Sequence, residues 1–356
     1  MKTLFITNTS LGLPELATIN YFPISLAQLG VEVGIIGRTG GSDITYRTAG
    51  VRAFEIGHVQ TRLYTIRKIA REFRPDVVHV FIHAGCGLYP LIMRTIPRAR
   101  FVLDIRSPLL RTGVLRHLVQ LKNRVEIMTY DAIGAHSIES AWTVVGKNTH
   151  IHWLPPGVAL AEIPWQPVRT STDPLRAVYV GSLQRSRKIP EMIDAVIQVN
   201  QQTEIRLDVF GYGSDIETIR AQIKGANMEN KIQIKGLIPR HELYRRLSTY
   251  DLGIGYVPKQ LYDAGPPLKT AEYLAAGLAV VATDTVGNRM FIEDGKNGIL
   301  TGETADEFAT GILRIASDLS LRCSIANLAR PSVESFDWMA IVRNHLMPLY
   351  MDLLQS

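Results

Sequence analysis

The stretch that decides the fold is residues 266–284, PPLKTAEYLAAGLAVVATD, in which a short helical pattern runs directly into a buried strand. Two prolines precede the helix, and Gly277 ends it, because glycine adopts the left-handed conformation at little cost. The run Ala279–Thr283 is apolar throughout, which is typical of a central strand in a parallel sheet. This order of elements predicts an α/β domain.

The start of this helix has the features of an anion-binding site. The backbone N–H groups of Leu268 to Thr270 are predicted to be unpaired, and the helix dipole adds positive potential there. Lys269 adds a charge, and Glu272, one turn further on, is placed to accept hydrogen bonds from sugar hydroxyls. An ordinary amphipathic helix with a solvated Glu272 is the alternative that these residues leave open.

Composition indicates a globular protein of two domains. The chain has 356 residues, of which 46% are hydrophobic and 20% charged, and it exceeds the size of a single hydrophobic core. No apolar run approaches the roughly 18 residues of a spanning helix, and no secretion signal is visible. The two cysteines, Cys86 and Cys323, lie far apart, so we expect free thiols in a cytoplasmic protein.

The net charge of +6 is a modest excess that is compatible with anionic substrates or an anionic membrane surface. Basic residues are spread through both halves without an interleaved aromatic stripe, so nucleic acid is not expected as a partner. The segment Leu109–Arg124 mixes apolar and basic residues in a helical pattern. A helix resting on an anionic membrane and an ordinary exposed helix are both open interpretations.

Apolar strands alternate with helices along both halves of the chain, which predicts two doubly wound parallel sheets. We expect these two Rossmann-like domains to face each other across a cleft, with ligands at the carboxyl ends of the strands. A proline-rich segment without periodicity separates the halves. The predicted domains are 1–165, 166–338 and a terminal helix, 339–356, that packs back on the first domain.

Several motifs, in order, resemble the retaining, nucleotide-sugar-dependent glycosyltransferases of family 4, which have the GT-B fold. In the second half these are VGSLQRSRKIPEMIDAV (180–196), VFGYGSD (209–215), KIQIKGLIPRHELYRRLSTYDLGIGYVP (231–258), the opening stretch, and FIEDGKNGIL (291–300). In the first half they are RPDVVHV (74–80), FVLDIRSP (101–108) and LPPGV (154–158). Each is weak alone, and their order and spacing make the resemblance specific.

The resemblance implies that Glu272 holds the ribose hydroxyls of the nucleotide. It also implies that the loop before the helix, with Gly265, Pro267 and Leu268, meets the diphosphate or sugar of the donor, with Lys269 beside the phosphate.

The family places two cations on the diphosphate from a Gly-Arg-Leu motif and a lysine four residues beyond. Here the motif is Gly181-Ser182-Leu183, and Arg187 fills the lysine position with Lys188 adjacent. Ser182 replaces the family arginine, so Arg185 is the candidate for the second contact. Arginine and lysine suit this role because they neutralise a departing diphosphate. Gly211, in the VFGYGSD motif, belongs to the same predicted donor site.

The first carboxylate of the family's pair is missing, since Ala264 lies at its position and Asp263 precedes it. Asp263 is a substitute if the loop bulges by one residue; a plain loss is the alternative. In the first domain the resemblance assigns Arg106 to the catalytic set and Gly12 to the donor site.

Asp104 and His136 lie at the carboxyl ends of predicted strands of the first domain, and we predict that they contact the acceptor. A structural ion pair is the alternative for Asp104 and Arg106. No histidine lies in a group that completes a metal shell, so no metal and no cofactor are expected.

The sequence therefore predicts a retaining transferase that moves a sugar from a UDP or GDP sugar to a carbohydrate or lipid-linked acceptor. It is expected in the cytoplasm or at the inner face of the membrane. A non-catalytic nucleotide-sugar-binding protein and a nucleotide-sugar epimerase are the alternatives. No strand is followed by Gly-x-Gly-x-x-Gly, which disfavours a dinucleotide oxidoreductase.

Overall fold

A computed structural model describes residues 1–11, 17–40, 46, 48–59, 62–107, 113–166 and 174–356. The chain forms two compact units, Met1–Gly157 with Trp338–Ser356, and Val158–Asp337. The boundary predicted after residue 165 falls instead after Gly157. The reason is that residues 158–163 bond to the second unit: the Val158 N–H donates to the Phe336 carbonyl, and Arg330 donates to the carbonyls of Leu160 and Ile163.

Within the described residues, the first unit contains a seven-stranded parallel sheet in the order β3-β2-β1-β4-β5-β6-β7. Its strands are β1 (Lys2–Ser10), β2 (Glu32–Arg38), β3 (Arg52–Ile56), β4 (Val77–Phe81), β5 (Arg100–Ile105), β6 (Ala132–Ala135) and β7 (His152–Trp153). The helices between them are α1 (Ala17–Gln28), α2 (Leu63–Phe73), α3 (Leu88–Met93), α4 (Gly113–Ile127) and α5 (Ile138–Val145).

The second unit repeats this layout with six parallel strands in the order β10-β9-β8-β11-β12-β13. Its strands are β8 (Leu175–Val180), β9 (Ile205–Phe210), β10 (Ile232–Gly236), β11 (Leu252–Gly255), β12 (Ala279–Thr283) and β13 (Ile299–Thr301). Its helices are α6 (Ile189–Val199), α7 (Ile216–Gly225), α8 (Arg240–Leu247), α9 (Lys259–Tyr262), α10 (Leu268–Ala275), α11 (Val286–Arg289), α12 (Ala305–Ser317) and α13 (Leu319–Ser332).

The prediction of two doubly wound α/β domains is confirmed by these sheets. Central strands such as β4 and β12 are buried along their whole length, because helices cover both faces of each sheet. In both sheets the strand order reverses beside the first strand of the unit, between β1 and β4 and between β8 and β11. Loops at the carboxyl ends of these strands therefore diverge, which is the usual ligand position of this topology.

The C-terminal residues form a continuous helical segment in the first unit, with α14 (Trp338–Ile341), a π-helical turn (Val342–Leu346) and α15 (Met347–Gln355). Trp338 packs edge-on to Phe22 of α1 and stacks on Tyr21. Tyr350 is fully buried. These aromatic contacts place the segment against the first unit's own core.

Candidate functional site

Two glycine-containing loops meet at the point where the second sheet reverses. The loop after β8 begins at Gly181, and the loop after β9 begins at Gly211; the Leu183 N–H donates to the Tyr212 carbonyl at 3.1 Å. A Cβ at Gly211 would lie 1.9 Å from the Gly181 carbonyl oxygen, so only glycine allows this approach. Gly181 and Gly211, both predicted from the sequence, therefore line the candidate site.

The loop after β8 then presents three basic residues, Arg185, Arg187 and Lys188. The Arg187 guanidinium lies 3.7 Å from the centre of the Tyr262 ring, and Ser186 bonds to the Tyr262 hydroxyl. Within the described residues none of the three cations pairs with a carboxylate. The loop thus carries uncompensated positive charge, as a phosphate site requires.

Lys269 lies deeper than the sequence predicts. Its ammonium group donates to the Tyr256 carbonyl at 2.7 Å and sits 3.9 Å from the centre of the Tyr179 ring. Burial, and secondarily the nearby Arg187 charge, holds the pKa of Lys269 well below its usual value. The Tyr256 carbonyl thus engages one of the three ammonium donors, and the place of Lys269 beside a phosphate stays a prediction.

The start of α10 offers backbone donors, as predicted, but fewer of them. The Thr270 N–H donates to the Pro267 carbonyl at 3.0 Å, so it is not available. The N–H groups of Leu268 and Lys269 have no hydrogen-bond partner within the described residues. Pro267 occupies the N-cap position without a side-chain cap, and Gly265 and Pro267 are half-buried in the loop before it.

Glu272 is held by two residues of α8 that the sequence analysis did not single out. Its Oε1 atom accepts hydrogen bonds from Arg240 Nη2 at 3.0 Å and from the Tyr244 hydroxyl at 2.9 Å. Burial raises the pKa of Glu272, while Arg240 and Tyr244 act in the opposite direction. No sequence signal marks this pairing, because Arg240 and Glu272 lie 32 positions apart.

Asp263 has a structural partner at one of its two carboxylate oxygens. Its Oδ1 accepts from the Val286 N–H at 3.2 Å, and its carbonyl accepts from the Gly287 N–H at 2.8 Å. A Cβ at Gly287 would lie 2.2 Å from the Gly265 carbonyl, which shows how closely these loops pack. Asp263 thus joins the loop before α10 to the start of α11 through one carboxylate oxygen, and its substitution for the missing carboxylate stays a prediction.

In the first unit, Asp104 and Arg106 belong to a buried cluster instead of a sugar-facing surface. Asp104 is 0% exposed, and its Oδ2 contacts Arg106 Nε at 2.9 Å and His79 Nε2 at 3.1 Å. Burial would raise the pKa of Asp104, but Arg106 and His79 outweigh it and leave that pKa lowered. The prediction that Asp104 contacts an acceptor is corrected, since no part of its side chain reaches the surface.

His79 completes this cluster and ties it to the C-terminal helix. Its Nε2 must donate to the Asp104 carboxylate, which can only accept, so Nδ1 accepts from the Tyr350 hydroxyl at 2.8 Å. Burial lowers the pKa of His79, and Asp104 opposes that effect only in part. The sequence analysis gave His79 no role, whereas the structure engages both of its ring nitrogens.

Arg106 also donates to the Leu154 carbonyl at 2.9 Å and covers the Phe22 ring. Its guanidinium therefore serves the structure of the first unit, and its assignment to the catalytic set lacks geometric support. His136 is 7% exposed, with Nδ1 3.0 Å from the Ile105 carbonyl, so its predicted acceptor contact is likewise not supported. Gly12 lies outside the described residues.

The described residues contain no group of three or more His, Cys, Asp or Glu side chains with metal-binding geometry. Among the described helices, none combines the length and the apolar composition that crossing a bilayer requires.

One surface feature stands out: α4 exposes an apolar stripe, with side chains 59–82% exposed. Its members are Leu118, Leu121 and Val125, with Met128 directly after the helix.

A doubly wound unit with a cationic loop at its switch point has the layout of Rossmann-like domains, which bind ligands at that point. Comparison with known proteins identifies the group more closely. Residues 174–318 match the family model of glycosyl transferases group 1. The resemblance to glycosyltransferases found in the sequence is thereby confirmed over residues 174–318.

The UDP-N-acetylglucosamine–peptide N-acetylglucosaminyltransferase GtfA subunit of Streptococcus gordonii is 30% identical over 135 residues, 36% of this chain and 24% of that protein. The putative colanic acid biosynthesis glycosyltransferase WcaL of Escherichia coli is 26% identical over 153 residues, 41% and 37% of the two chains. The match thus spans less than two fifths of either relative.

The crystal structure of Anabaena HepE in complex with UDP superposes with a TM-score of 0.77 at 17% identity, covering 99% of this chain and 100% of HepE. The chain therefore has the fold of GT-B glycosyltransferases, as the sequence predicted.

Proposed function

We propose that this protein is a glycosyltransferase that moves a sugar from a nucleotide sugar to an acceptor hydroxyl with retention of configuration. The observation that carries the proposal is the cationic loop Arg185–Lys188, without carboxylate partners in the described structure, beside the start of α10. Loss of a nucleoside diphosphate builds negative charge on the leaving group, and fixed cations stabilise that charge. UDP is the proposed nucleotide, because HepE was solved with UDP and the GtfA name specifies a UDP sugar.

In this proposal Arg187 is the catalytic cation. Its guanidinium is positioned by the Tyr262 ring and by the turn in which its N–H donates to the Gln184 carbonyl at 2.8 Å. Lys188 and Arg185, both exposed, add charge from the same loop. The N–H groups of Leu268 and Lys269 supply further donors at the positive end of the α10 dipole.

Glu272 is the proposed ribose anchor, because its carboxylate is mostly buried and fixed at one oxygen. Ser182, Gly181 and Gly211 line the same end of the sheet, where their backbone lets a diphosphate approach closely.

The proposal is tested by thermal-shift screening with nucleoside diphosphates, followed by turnover assays with the donor that binds. Arg187→Met should lower kcat more than it weakens donor binding, because the leaving-group charge is largest in the transition state. Arg220→Met, which removes an exposed arginine paired with Glu217 on α7, is the matched control and should leave both unchanged. Absence of any stabilisation by nucleoside diphosphates would overturn the proposal.

We further propose that the acceptor is a carbohydrate or lipid-linked sugar and that α4 rests on an anionic membrane surface. The apolar stripe of α4 is flanked by His117 and Lys122, both exposed, which suits the boundary between lipid headgroups and acyl chains. Co-sedimentation with vesicles containing anionic lipid should decrease for Leu121→Glu and persist for Leu328→Glu, an exposed leucine of the second unit. Equal binding by both variants would remove α4 from the interface.

A further inference from the structure

Arg240 forms the tightest set of contacts around the proposed ribose anchor. Its Nη2 lies 3.0 Å from Glu272 Oε1, and its Nε donates to the Tyr244 hydroxyl, which in turn donates to the same Oε1 atom. The guanidinium also lies 5.2 Å from the centre of the Tyr244 ring. The Arg240 and Glu272 side chains are only 19% and 14% exposed.

Both hydrogen bonds reach one oxygen of the carboxylate. No side chain or backbone group of the described residues donates to Glu272 Oε2. We propose that Arg240 is a positioning residue, which with Tyr244 fixes Oε1 and thereby directs Oε2 toward the ribose hydroxyls of the donor. This inference rests on the proposed function and adds to it a residue that determines how strongly ribose is recognised.

The positive charge of Arg240 has a second effect, which is to stabilise the ionised form of Glu272. A carboxylate with little exposure is costly to ionise unless a cation is close, and the proposed donor brings a negatively charged diphosphate to the same end of the unit. A guanidinium at 3.0 Å offsets both effects. Arg240 thus keeps Glu272 ionised, and an ionised carboxylate accepts hydrogen bonds from both ribose hydroxyls more strongly than a protonated one.

A pH dependence follows from this arrangement. The titratable and charged groups that face Glu272 are Arg240 and Tyr244 from α8 and Tyr273 on its own helix. Without Arg240, the effect of burial is opposed by Tyr244 alone, so the pKa of Glu272 rises further. Protonation then begins at a higher pH, and ribose recognition is lost earlier as the pH falls.

The test compares matched nucleotides by calorimetry between pH 8 and pH 5, using UDP with 2′-deoxy-UDP and GDP with 2′-deoxy-GDP. A hydrogen bond to a charged group corresponds to roughly tenfold tighter binding of the ribonucleotide to the wild type. In Arg240→Met this ratio should fall to about twofold or less at pH 7, and its decline with pH should shift upward. Arg240→Lys should recover part of the ribonucleotide-to-deoxyribonucleotide binding ratio, because it restores the positive charge but not the planar set of guanidinium donors.

Arg246→Met is the matched control, because Arg246 lies on the same helix, is half exposed and pairs with Glu242. It should keep the wild-type ratio and pH profile. If Arg240→Met fails to fold, Tyr244→Phe, which removes the hydroxyl that donates to Oε1 and accepts from Arg240 Nε, should lower the ratio by a smaller factor.

Two results overturn the inference in distinguishable ways. Wild-type binding of UDP or GDP, with an unchanged ratio and pH profile in Arg240→Met, refutes the positioning role and leaves the proposed function intact. A wild type that binds neither UDP nor GDP refutes both together.

Discussion

The stability of the first unit should fall between pH 7 and pH 5, and His136 should account for a measurable part of that loss. His136 is 7% exposed and follows β6, with Nδ1 3.0 Å from the Ile105 carbonyl. Burial, assisted by the neighbouring Arg106 cation, lowers its pKa from 6.5 to about 4. The folded state therefore holds a neutral imidazole where the unfolded chain would take up a proton.

The sign and size of the effect follow from proton linkage. Because the folded pKa is lower than the unfolded pKa, the unfolded state binds more protons as the pH falls below 6.5, and stability declines. For a shift from 6.5 to about 4, the loss between pH 7 and pH 5 is about 2 kcal/mol from this one residue. The effect levels off only below the folded pKa, where both states are protonated.

The assay is urea unfolding at pH 7 and pH 5 in a Trp165→Phe background, which leaves tryptophan fluorescence only in the first unit, at Trp142, Trp153 and Trp338. His136→Asn keeps a donor for the Ile105 carbonyl and removes the titrating ring. The wild type should lose about 2 kcal/mol more than this variant over the two pH values. Equal losses would show that His136 titrates normally in the folded protein, and would refute the reasoning.

Three further predictions concern the framework of the two units. Asn288→Ala should destabilise the second unit by about 3 kcal/mol, because the buried amide donates to the Gly255 and Thr283 carbonyls and accepts from the Thr270 hydroxyl. A loss of unfolding free energy below about 1 kcal/mol, measured by urea unfolding, would contradict this. Gly211→Ala should lower the melting temperature and weaken UDP binding, since its Cβ would meet the Gly181 carbonyl at 1.9 Å; Gly225→Ala, with nothing within 4 Å, should do neither. Tyr350→Phe should destabilise the first unit by about 1 kcal/mol through loss of the donor to His79, and an unchanged unfolding midpoint would argue against that bond.

The succession of strands and helices could be predicted because each element depends on neighbours in the sequence. The predicted strand Ala279–Thr283 matches β12 at both ends, since an unbroken apolar run marks a fully buried parallel strand. Helices without such a pattern were missed: α3 has six residues, and α13, at Leu319–Ser332, has no clear apolar periodicity.

The candidate site was predictable only where function depends on a local motif. The cationic loop after β8 and the start of α10 were found, because charge and helix-start signals lie within a few residues of each other. The hydrogen-bond partners of the neighbouring groups were not predicted. Lys269 turns to the Tyr256 carbonyl, and Asp263 bonds to α11, because packing between loops decides which donors remain open.

The sequence by itself determined two doubly wound α/β units and the position of the cationic loop after β8, since hydrophobic period, turn residues and charge are local properties. Only the tertiary structure decided that Arg240 holds Glu272, and that Tyr350 reaches His79 across 271 positions. Such pairs form when folding brings distant segments together, and their energy depends on burial and on which neighbours exclude water. Neither the burial of such a pair nor the neighbours that exclude water from it can be read from the residues adjacent to it in the sequence.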